Sequence, residues 1–534
     1  MTALLGQATN MNHLVIAPIL LPLIAGILLL LLRHLDINLR RAFSLAATTG
    51  QIVLAAWLLQ AVDGGEILVY AVGDWQAPYG IVLVADRLSA WMLLITAVLA
   101  WFALLYASRG IDVSAGPDPA KPLQKRAGDG HFHVLFQLQL MGLNGAFLTG
   151  DLFNLFVFFE VLLLASYGLI LHGGGRLKTR ASLHYVVLNL AGSSLFLFAV
   201  GTLYGLFGTL NMADLARKMA AVPPENLAPA RAAGLLLFGV FALKAALVPL
   251  YLWLPAAYAQ TSAPVAALFA IMTKVGAYSI LRVSTLIFGA EAGGVSQLIG
   301  PWLLPLALLT LLIGLLGALA ARFLREQAAY LVIASVGSLL TAFSLASPAG
   351  IAAGLYYLPH SVFTGAALFL LADRIAVSRN LAGNDIGDHF QPTPAMAGAP
   401  LLGGLFFLTA ILAAGLPPLS GFVGKFLLLR AALDHTDAAW IIGLVLLGGL
   451  LGMIALARSG SLLFFRSLPT PQDVPAATGS WSALMPTLWP ILGLLALCIG
   501  MTLAAGPIHA YVSATAEQLL QPYHYVHAVL GGQP

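Results

Sequence analysis

Residues 151–171 read DLFNLFVFFEVLLLASYGLIL, an aromatic-rich apolar run with one glutamate, Glu160, near its middle. About 20 apolar residues are enough for an α-helix to cross the hydrocarbon core of a bilayer. If the helix begins at Asp151, a rise of about 1.5 Å per residue places Glu160 roughly 13–14 Å deep, close to the midplane. The stretch therefore predicts a membrane span with a carboxyl group where a charge is most costly.

Similar apolar runs recur along the chain of 534 residues, of which 60% are hydrophobic and 9% are charged. Soluble domains average about 25% charged residues, so this composition excludes an ordinary soluble protein and indicates a polytopic membrane protein. We predict about fourteen membrane-spanning helices and no soluble domain between them. The predicted spans are residues 14–32, 43–62, 88–107, 131–149, 151–171, 181–207, 232–258, 262–288, 299–321, 327–347, 350–373, 401–430, 438–464 and 485–510.

The distribution of Arg and Lys predicts the orientation of these spans, because cytoplasmic loops carry an excess of both residues. If the N-terminus lies outside, most of the basic residues fall in cytoplasmic loops. We therefore predict that both termini lie outside the cytoplasm and that the number of spans is even. The loops on the opposite side hold Arg87, Arg217, Lys218, Arg231, Arg282 and Arg430.

Three lysines, Lys244, Lys274 and Lys425, lie inside predicted spans. A charge at the centre of a membrane helix costs about 2.5–3.5 kcal/mol on insertion scales. Burial disfavours the charged form of an acid or an amine, whereas an opposite charge within a few ångströms favours both charges. Lys244 lies at a depth similar to that of Glu160, so we expect the two to be partners. Lys274 has no acid nearby in sequence, which suits a group that picks up and releases protons.

Prolines and glycines predict breaks in two of the lysine-bearing spans. Pro249 follows Lys244 closely, and a proline removes a helical hydrogen bond and clashes with the preceding turn. The stretch GLPPLSGFVGKF breaks the helix just before Lys425. Broken backbone at membrane depth is tolerated where protein or water satisfies the freed groups. Two broken helices, one in each half, predict a structural repeat with a polar pathway at its centre.

Each of these features also has a purely structural interpretation. Prolines in membrane helices often serve packing, a buried Glu–Lys pair can simply join two helices, and Lys425 could extend its amine to the membrane interface. His360 follows Pro359, a third proline that is expected to weaken the helical hydrogen bonding of its span. A buried histidine that only makes structural hydrogen bonds is an open alternative to a functional role for His360. The single cysteine, Cys498, excludes an internal disulfide and Cys-based clusters. Because metal and nucleotide motifs are missing from the sequence, we expect no cofactor and no metal in this chain.

Three segments of the chain read GDLFNLFVFFEVLLLASYGLI, FALKAALVPLYLWLPAAYAQTSAPVAALFAIMTKVGAY and GLPPLSGFVGKFLLL. Together they resemble the D-type subunit of the Mrp (Mnh or Pha) multisubunit cation/proton antiporters. The resemblance covers about residues 70 to 465. This family is in turn similar to the proton-pumping membrane subunits of respiratory complex I.

The resemblance implies an all-α polytopic membrane protein in the bacterial inner membrane. It implies fourteen helices, with two inverted five-helix repeats formed by helices 4–8 and 9–13 and with helices 7 and 12 broken. The expected division is residues 1–130 for helices 1–3, 131–288 for the first repeat, 299–464 for the second repeat, and 465–534 for helix 14 and the tail.

The resemblance also implies roles for the intramembrane charges. Glu160 matches the family's helix-five glutamate, Lys244 its helix-seven lysine and Lys274 its central helix-eight lysine. His360 matches a histidine on helix eleven, and Lys425 matches the helix-twelve lysine at the far end of the axis. Together these five residues are expected to carry protons along the middle of the membrane.

The chain departs from the wider pattern at two places. Complex I subunits usually have histidines around the helix-seven break, where this chain has Tyr251 and Tyr258. Many relatives have a lysine shortly after the helix-eleven histidine, where this chain has Thr364 and Gly365. We therefore expect the link from Lys274 to Lys425 to depend more on His360 and water.

The function expected from the resemblance is proton translocation that drives Na⁺ or K⁺ efflux, as a transporter subunit working with the other antiporter subunits. Two alternatives stay open. The chain could be the proton-pumping membrane subunit of a complex I-like or hydrogenase-type redox complex, or a scaffold whose buried charges are idle.

Overall fold

The structure, a computed structural model, describes residues 2–109, 129–172, 174–381, 387–394, 396, 398–468 and 481–531. Long apolar helices dominate these residues, and twelve of the described helical segments are long and apolar enough to cross a membrane. The prediction of a mostly helical, multi-pass membrane protein is therefore confirmed. The total of fourteen spans and the division into two inverted repeats stay predictions.

The helices of the first half follow one another with short connections. They are α1 (Thr2–Leu31), α2 (Ile37–Val62), α3 (Arg87–Ser108), α4 (Asp129–Leu148), α5 (Leu152–Leu171), α6 (Arg176–Phe207), α7 (Met212–Ala220), α8 (Pro224–Ala245), α9 (Leu254–Gln260), α10 (Ala263–Phe269) and α11 (Met272–Leu286).

The second half also consists mainly of long apolar helices, and two shorter helices, α19 and α20, follow the last long one. They are α12 (Gly300–Ala320), α13 (Leu324–Ser344), α14 (Pro348–Leu381), α15 (Ala399–Ala414), α16 (Ser420–Ala432), α17 (Ala438–Gly460), α18 (Trp481–Leu503), α19 (Ala505–Leu519) and α20 (Pro522–Leu530).

Four short strands accompany the helices in the described part of the chain. Strands β1 (Leu68–Ala71) and β2 (Val82–Ala85) form an antiparallel hairpin in the predicted loop between the second and third spans. Strands β3 (Thr393–Pro394) and β4 (Ser467–Leu468) pair in parallel. The hairpin contains alternating valines and leucines, but four-residue strands are too short to stand out beside long apolar helices.

Both predicted helix breaks are present. The predicted span 232–258 is divided between α8 and α9, and the predicted span 401–430 between α15 and α16. Each first helix ends at a residue in the left-handed conformation, Ala246 with φ 58° and Gly415 with φ 74°. A left-handed residue directs the chain out of the helix, which is a common way for helices to end.

Two other segments of the backbone also depart from regular helix. Helix α14 runs through Pro359 without a break, and the Leu355 carbonyl, to which the proline cannot donate, accepts from the Trp91 indole nitrogen at 3.2 Å. The predicted span 262–288 is present as the apolar segment Ala263–Leu286, with a turn between α10 and α11, where the Ala270 and Ile271 nitrogens each donate to a carbonyl three residues earlier, at 3.2 Å. Such a tightened turn inside a helix is often found at functional positions. It lies directly before Lys274.

Arg282 is a buried partner rather than a loop charge, which corrects its assignment to a loop in the predicted orientation. Its guanidinium donates to both carboxylate oxygens of Asp86, at 2.6 and 2.8 Å. The rings of Tyr278 and Tyr525 lie 5.6 and 5.4 Å from the guanidinium carbon. Because Asp86 precedes α3, Arg282 lies on α11 and Tyr525 on α20, this cluster joins three distant parts of the chain.

Candidate functional site

Lys244 lies in the last turn of α8, where the exposed carbonyls of a helix end favour a positive charge. The groups that the break frees are satisfied by neighbouring side chains. The Trp253 indole nitrogen donates to the Leu243 carbonyl at 3.1 Å, and the Val248 nitrogen donates to the Thr310 hydroxyl oxygen at 3.0 Å. The break is thus stabilised within the protein, as membrane depth requires.

Glu160 and Lys244 each bind helix α6 instead of each other. The Ser193 hydroxyl donates to Glu160 Oε1. Lys244 Nζ donates to the carbonyl oxygen of Asn189 at 3.3 Å and to its Oδ1 at 3.2 Å. The structure therefore places the predicted partners on neighbouring positions of α6, and the direct ion pair expected from the sequence is not formed in this conformation.

Lys274 is completely buried in α11 and is bonded to a side chain of α13. Its Nζ donates to Ser335 Oγ at 2.8 Å. Two residues further along α11, a Cβ added at Gly276 would lie 2.4 Å from the Ala245 nitrogen. Helix α11 therefore reaches the end of α8 because residue 276 has no side chain, and this packing brings the helices of Lys274 and Lys244 together.

A cavity of about 50 Å³ opens beside Ser335 and extends to the second half of the predicted pathway. A water molecule needs at least about 10–15 Å³ on this measure, so the cavity has room for a few. It connects the partner of Lys274 with the predicted residues His360 and Lys425. The polar side chains that line it are Ser335, Ser338, Tyr357, His360, Ser361, Thr364 and Lys425.

His360 and Lys425 both contact the break between α15 and α16. His360 Nδ1 is 2.9 Å from the Oγ of Ser420, the first residue of α16. Lys425 Nζ donates at 2.8 Å to the carbonyl of Ala414, the last residue of α15. Because the Lys425 amine is turned towards the break and the cavity, its extension to the membrane interface is disfavoured.

The structure thus groups four of the predicted residues in two sets and connects Lys274 to the second. Glu160 and Lys244 share α6, and Lys274 reaches the cavity of His360 and Lys425 through its bond to Ser335. In the described part of the chain no hydrogen bond joins Lys244 to Lys274. The roles of all five residues in proton transfer stay predictions.

The uncharged residues Asn189, Ser193 and Ser335 were not predicted from the sequence. Asn189 and Ser193 lie four residues apart in an apolar span, and this spacing places two side chains on the same face of a helix. That polar face was a usable signal for α6. Ser335 is one of several serines in α13, and nothing in the sequence distinguishes it from the others.

Within the residues described, no group of three or more His, Cys, Asp or Glu side chains is arranged to hold a metal ion.

Residues 149–454 match the family described as "NADH:quinone oxidoreductase/Mrp antiporter, TM". This range is more than half of the chain. The chain belongs to this family. The matched range includes Glu160, Lys244, Lys274, His360 and Lys425.

Members of the family with similar sequences are named as antiporter subunits of the D type. The chain is 40% identical to a probable K⁺/H⁺ antiporter D-type subunit of Rhizobium meliloti (strain 1021), with 97% of this chain and 98% of the relative covered. It is 38% identical to a Na⁺/H⁺ antiporter D-type subunit of Bacillus subtilis (strain 168), with 97% and 100% covered. The resemblance to the D-type subunit seen in the sequence is confirmed.

Solved structures with the same fold come from antiporter and respiratory complexes. A chain of the Mrp complex from Dietzia sp. DQ12-45-1b matches with a TM-score of 0.83 and 28% identity, covering 97% of this chain and 99% of the other. A chain of respiratory complex I from Thermus thermophilus matches with a TM-score of 0.72 and 26% identity, covering 95% and 99%. The match to the Mrp/complex I membrane fold extends over nearly the whole chain.

The structure also shows what occupies one position where this chain departs from the wider family pattern. Thr364 lies one turn after His360 on α14, and its Oγ1 is 3.5 Å from both His360 Nδ1 and Cys498 Sγ. A small hydroxyl side chain therefore lines the cavity at this position. The link from Lys274 to Lys425 through His360 and water stays a prediction.

Replacing Ser335 by alanine is expected to slow cation/proton exchange about fivefold, which corresponds to about 1 kcal/mol. Lys274 would lose the hydroxyl that connects it to the cavity, while a water could partly replace that contact. The measurement is exchange in everted membrane vesicles. Ser344→Ala is the matched control, because Ser344 lies on the same helix and bonds the Thr341 carbonyl. Equal rates for both variants would contradict a role for the Ser335 hydroxyl.

Proposed function

We propose that this chain is the proton-translocating subunit of a multisubunit monovalent cation/proton antiporter. The observation that carries the proposal is the position of Lys274, a fully buried amine bonded to a serine that opens into a water-sized cavity. An amine held at membrane depth by a neutral hydroxyl is costly unless it has a function. Full-length relatives at 38–40% identity, named as antiporter subunits, support the same function.

The mechanism that this geometry supports begins at Glu160 and Lys244. While Lys244 is paired with Glu160, the positive charge of the ammonium is stabilised by the carboxylate. When the two separate, as in the structure, the ammonium is bonded to the neutral oxygens of Asn189 and releases its proton more readily. The proton passes to Lys274, and from Lys274 through Ser335 and water to His360 and Lys425.

Proton flow into the cell would drive Na⁺ or K⁺ out through the assembled complex. The chain itself would act as a secondary transporter subunit and not as an enzyme, in the bacterial inner membrane with both termini outside the cytoplasm. We also propose that residues 131–288 and 299–464 form two inverted repeats. Each proposed repeat contains one broken helix with a lysine beside the break, which is the arrangement that such repeats use at a central site.

A second candidate is a proton-pumping subunit in a redox complex. The observation that favours it is the structural match to the archaeal membrane-bound sulfane sulfur reductase, with a TM-score of 0.83 and 26% identity. The higher sequence identity to subunits named as antiporters favours the first candidate. Purification of the complex with its native partners distinguishes the two, since a redox complex would contain hydrophilic subunits that carry electrons.

The antiporter proposal is tested by replacing Lys244 with alanine in the otherwise intact complex. Exchange in everted vesicles is expected to fall by at least about tenfold, towards the roughly 100-fold that loss of a general acid–base group costs at the low end of its range. The matched control is Lys218→Ala, because Lys218 lies on α7, away from the proposed path, with a side chain that is 39% exposed and paired with Asp214. Exchange at the wild-type rate in Lys244→Ala would contradict the proposal. Assays with Na⁺ and K⁺ separately identify the transported cation.

A further inference from the structure

Helix α6 lies between the acid and the amine of the first half of the site. It packs against α5, which carries Glu160, and against α8, which carries Lys244. Its residues Asn189 and Ser193 are four positions apart, so their side chains project from the same face at successive turns. The Glu160 carboxyl and the Lys244 amine are therefore held by adjacent positions of one helix.

The lysine side chain has a short route between the two positions. Its stem passes beside α6 at Gly192, where an added Cβ would lie 4.0 Å from Lys244 Cε. Lys244 Nζ already lies 5.9 Å from the ring centroid of Phe159, the residue before Glu160. One helical turn is about 5.4 Å, and lysine has a flexible four-carbon stem. Rotation of the side chain is thus enough to bring the ammonium from Asn189 towards Glu160.

Glu160 and Lys244 can form a direct ion pair only if each gives up its hydrogen bonds to α6. Glu160 would have to leave the Ser193 hydroxyl, and Lys244 would have to leave the two oxygens of Asn189. We infer that Asn189 and Ser193 are positioning residues that stabilise the separated state of Glu160 and Lys244 and thereby set how readily Lys244 releases its proton. The inference rests on the proposed function, because the separated state has a role only in a proton path.

Other titratable groups lie around this pair. The ring of Tyr167 on α5 packs against that of Tyr185 on α6 at 5.5 Å. The rings of Tyr185 and of Tyr258 on α9 both pack against Trp253, at 5.2 and 6.1 Å, and Lys274 lies on α11 beside the end of α8. These groups stay unchanged in the variants below, so a difference in pH profile between the variants comes from the substituted residues of α6.

The test is the pH profile of exchange in the full complex with Ser193→Ala. Loss of the hydroxyl frees the Glu160 carboxylate to pair with Lys244, and the pair favours the protonated lysine. Release of the proton then needs a higher pH. The profile is expected to move to higher pH by roughly 1–2 units, from the loss of one hydrogen bond to a charged group. Ser193→Thr keeps a hydroxyl and is expected to restore the wild-type profile.

Ser194→Ala is the matched control, because Ser194 is the neighbouring residue, is exposed, and bonds the Leu190 carbonyl of its own helix at 3.2 Å. Its profile is expected to equal that of the wild type. Asn189→Leu keeps the side-chain size and removes the amide acceptor, and it is expected to slow exchange about fivefold. The amount of assembled complex on native gels normalises every rate.

The outcomes separate this inference from the proposed function. If Glu160→Gln exchanges at the wild-type rate, the proposed function fails and the inference fails with it. If Glu160→Gln is inactive while Ser193→Ala has the profile of Ser194→Ala, the proposed function stands and the inference is overturned. A shift to lower pH in Ser193→Ala would also overturn it, because the hydroxyl would then stabilise the paired state.

Discussion

Replacement of Lys274 by methionine is expected to reduce cation/proton exchange by on the order of 100-fold, the low end of the range for loss of a general acid–base group. Lys274 is the one predicted carrier between Lys244 and the cavity of His360 and Lys425, and no other titratable group is bonded to Ser335 in the described part of the chain. Without the Lys274 amine, water alone would have to carry protons from Lys244 to the cavity.

The loss of exchange in Lys274→Met should not come from misfolding. Methionine has a similar length and no charge, and replacing a buried charge by a well-packed apolar side chain is often neutral or stabilising. Ser335 also keeps a partner, since its hydroxyl donates to the Val332 carbonyl at 2.6 Å. The thermal stability and yield of the complex should therefore equal those of the wild type. Exchange above about half the wild-type rate would contradict the central role of Lys274.

The second large effect is expected at the buried pair of Asp86 and Arg282. Arg282→Leu leaves the Asp86 carboxylate buried without its charged partner, and breaking a buried pair in this way costs about 3–5 kcal/mol. That is comparable with a large part of the stability of a typical domain. We expect little assembled complex in membranes that express this variant. Blue native gels and thermal denaturation of the purified complex measure the loss.

Two further variants make this result specific. The double replacement Asp86→Leu with Arg282→Leu removes both charges, so it is expected to recover a substantial part of the assembled complex. Arg217→Ala removes a guanidinium that is 42% exposed from the buried Asp214 on α7, which keeps Lys218 as a second cationic partner, so the loss is expected to be about 1 kcal/mol or less. If Arg282→Leu assembled as well as Arg217→Ala, the pair would not stabilise the fold.

The sequence was sufficient to locate the charges and the two breaks. An amine or a carboxyl within about 20 apolar residues is evident without any structure, and so are the prolines that follow Lys244 and precede Lys425. These features follow from local rules of helix formation and from the cost of charges in hydrocarbon. The family resemblance then ordered the five residues along one pathway.

The partners of those charges were not predictable from the sequence. Whether Glu160 meets Lys244 or Ser193 depends on the rotation of α5, α6 and α8 about their axes, and apolar spans carry almost no periodic signal that fixes this rotation. Arg282 was counted with the loops although it lies inside the predicted span 262–288, and nothing in the sequence identifies the distant Asp86 as its buried partner. The tightened turn before Lys274 contains no proline or glycine that would have indicated it.

The position of Tyr525 has a consequence for the order in which the protein is made. Its ring covers the Arg282 guanidinium, although almost half the chain separates the two residues. A ribosome delivers Asp86 and Arg282 to the membrane long before it delivers α20. Until α20 is inserted, an ion pair between Asp86 and Arg282 has the ring of Tyr278 beside it, on the same helix as Arg282, but lacks the ring of Tyr525. The complete cluster therefore forms only after α20 has reached the membrane.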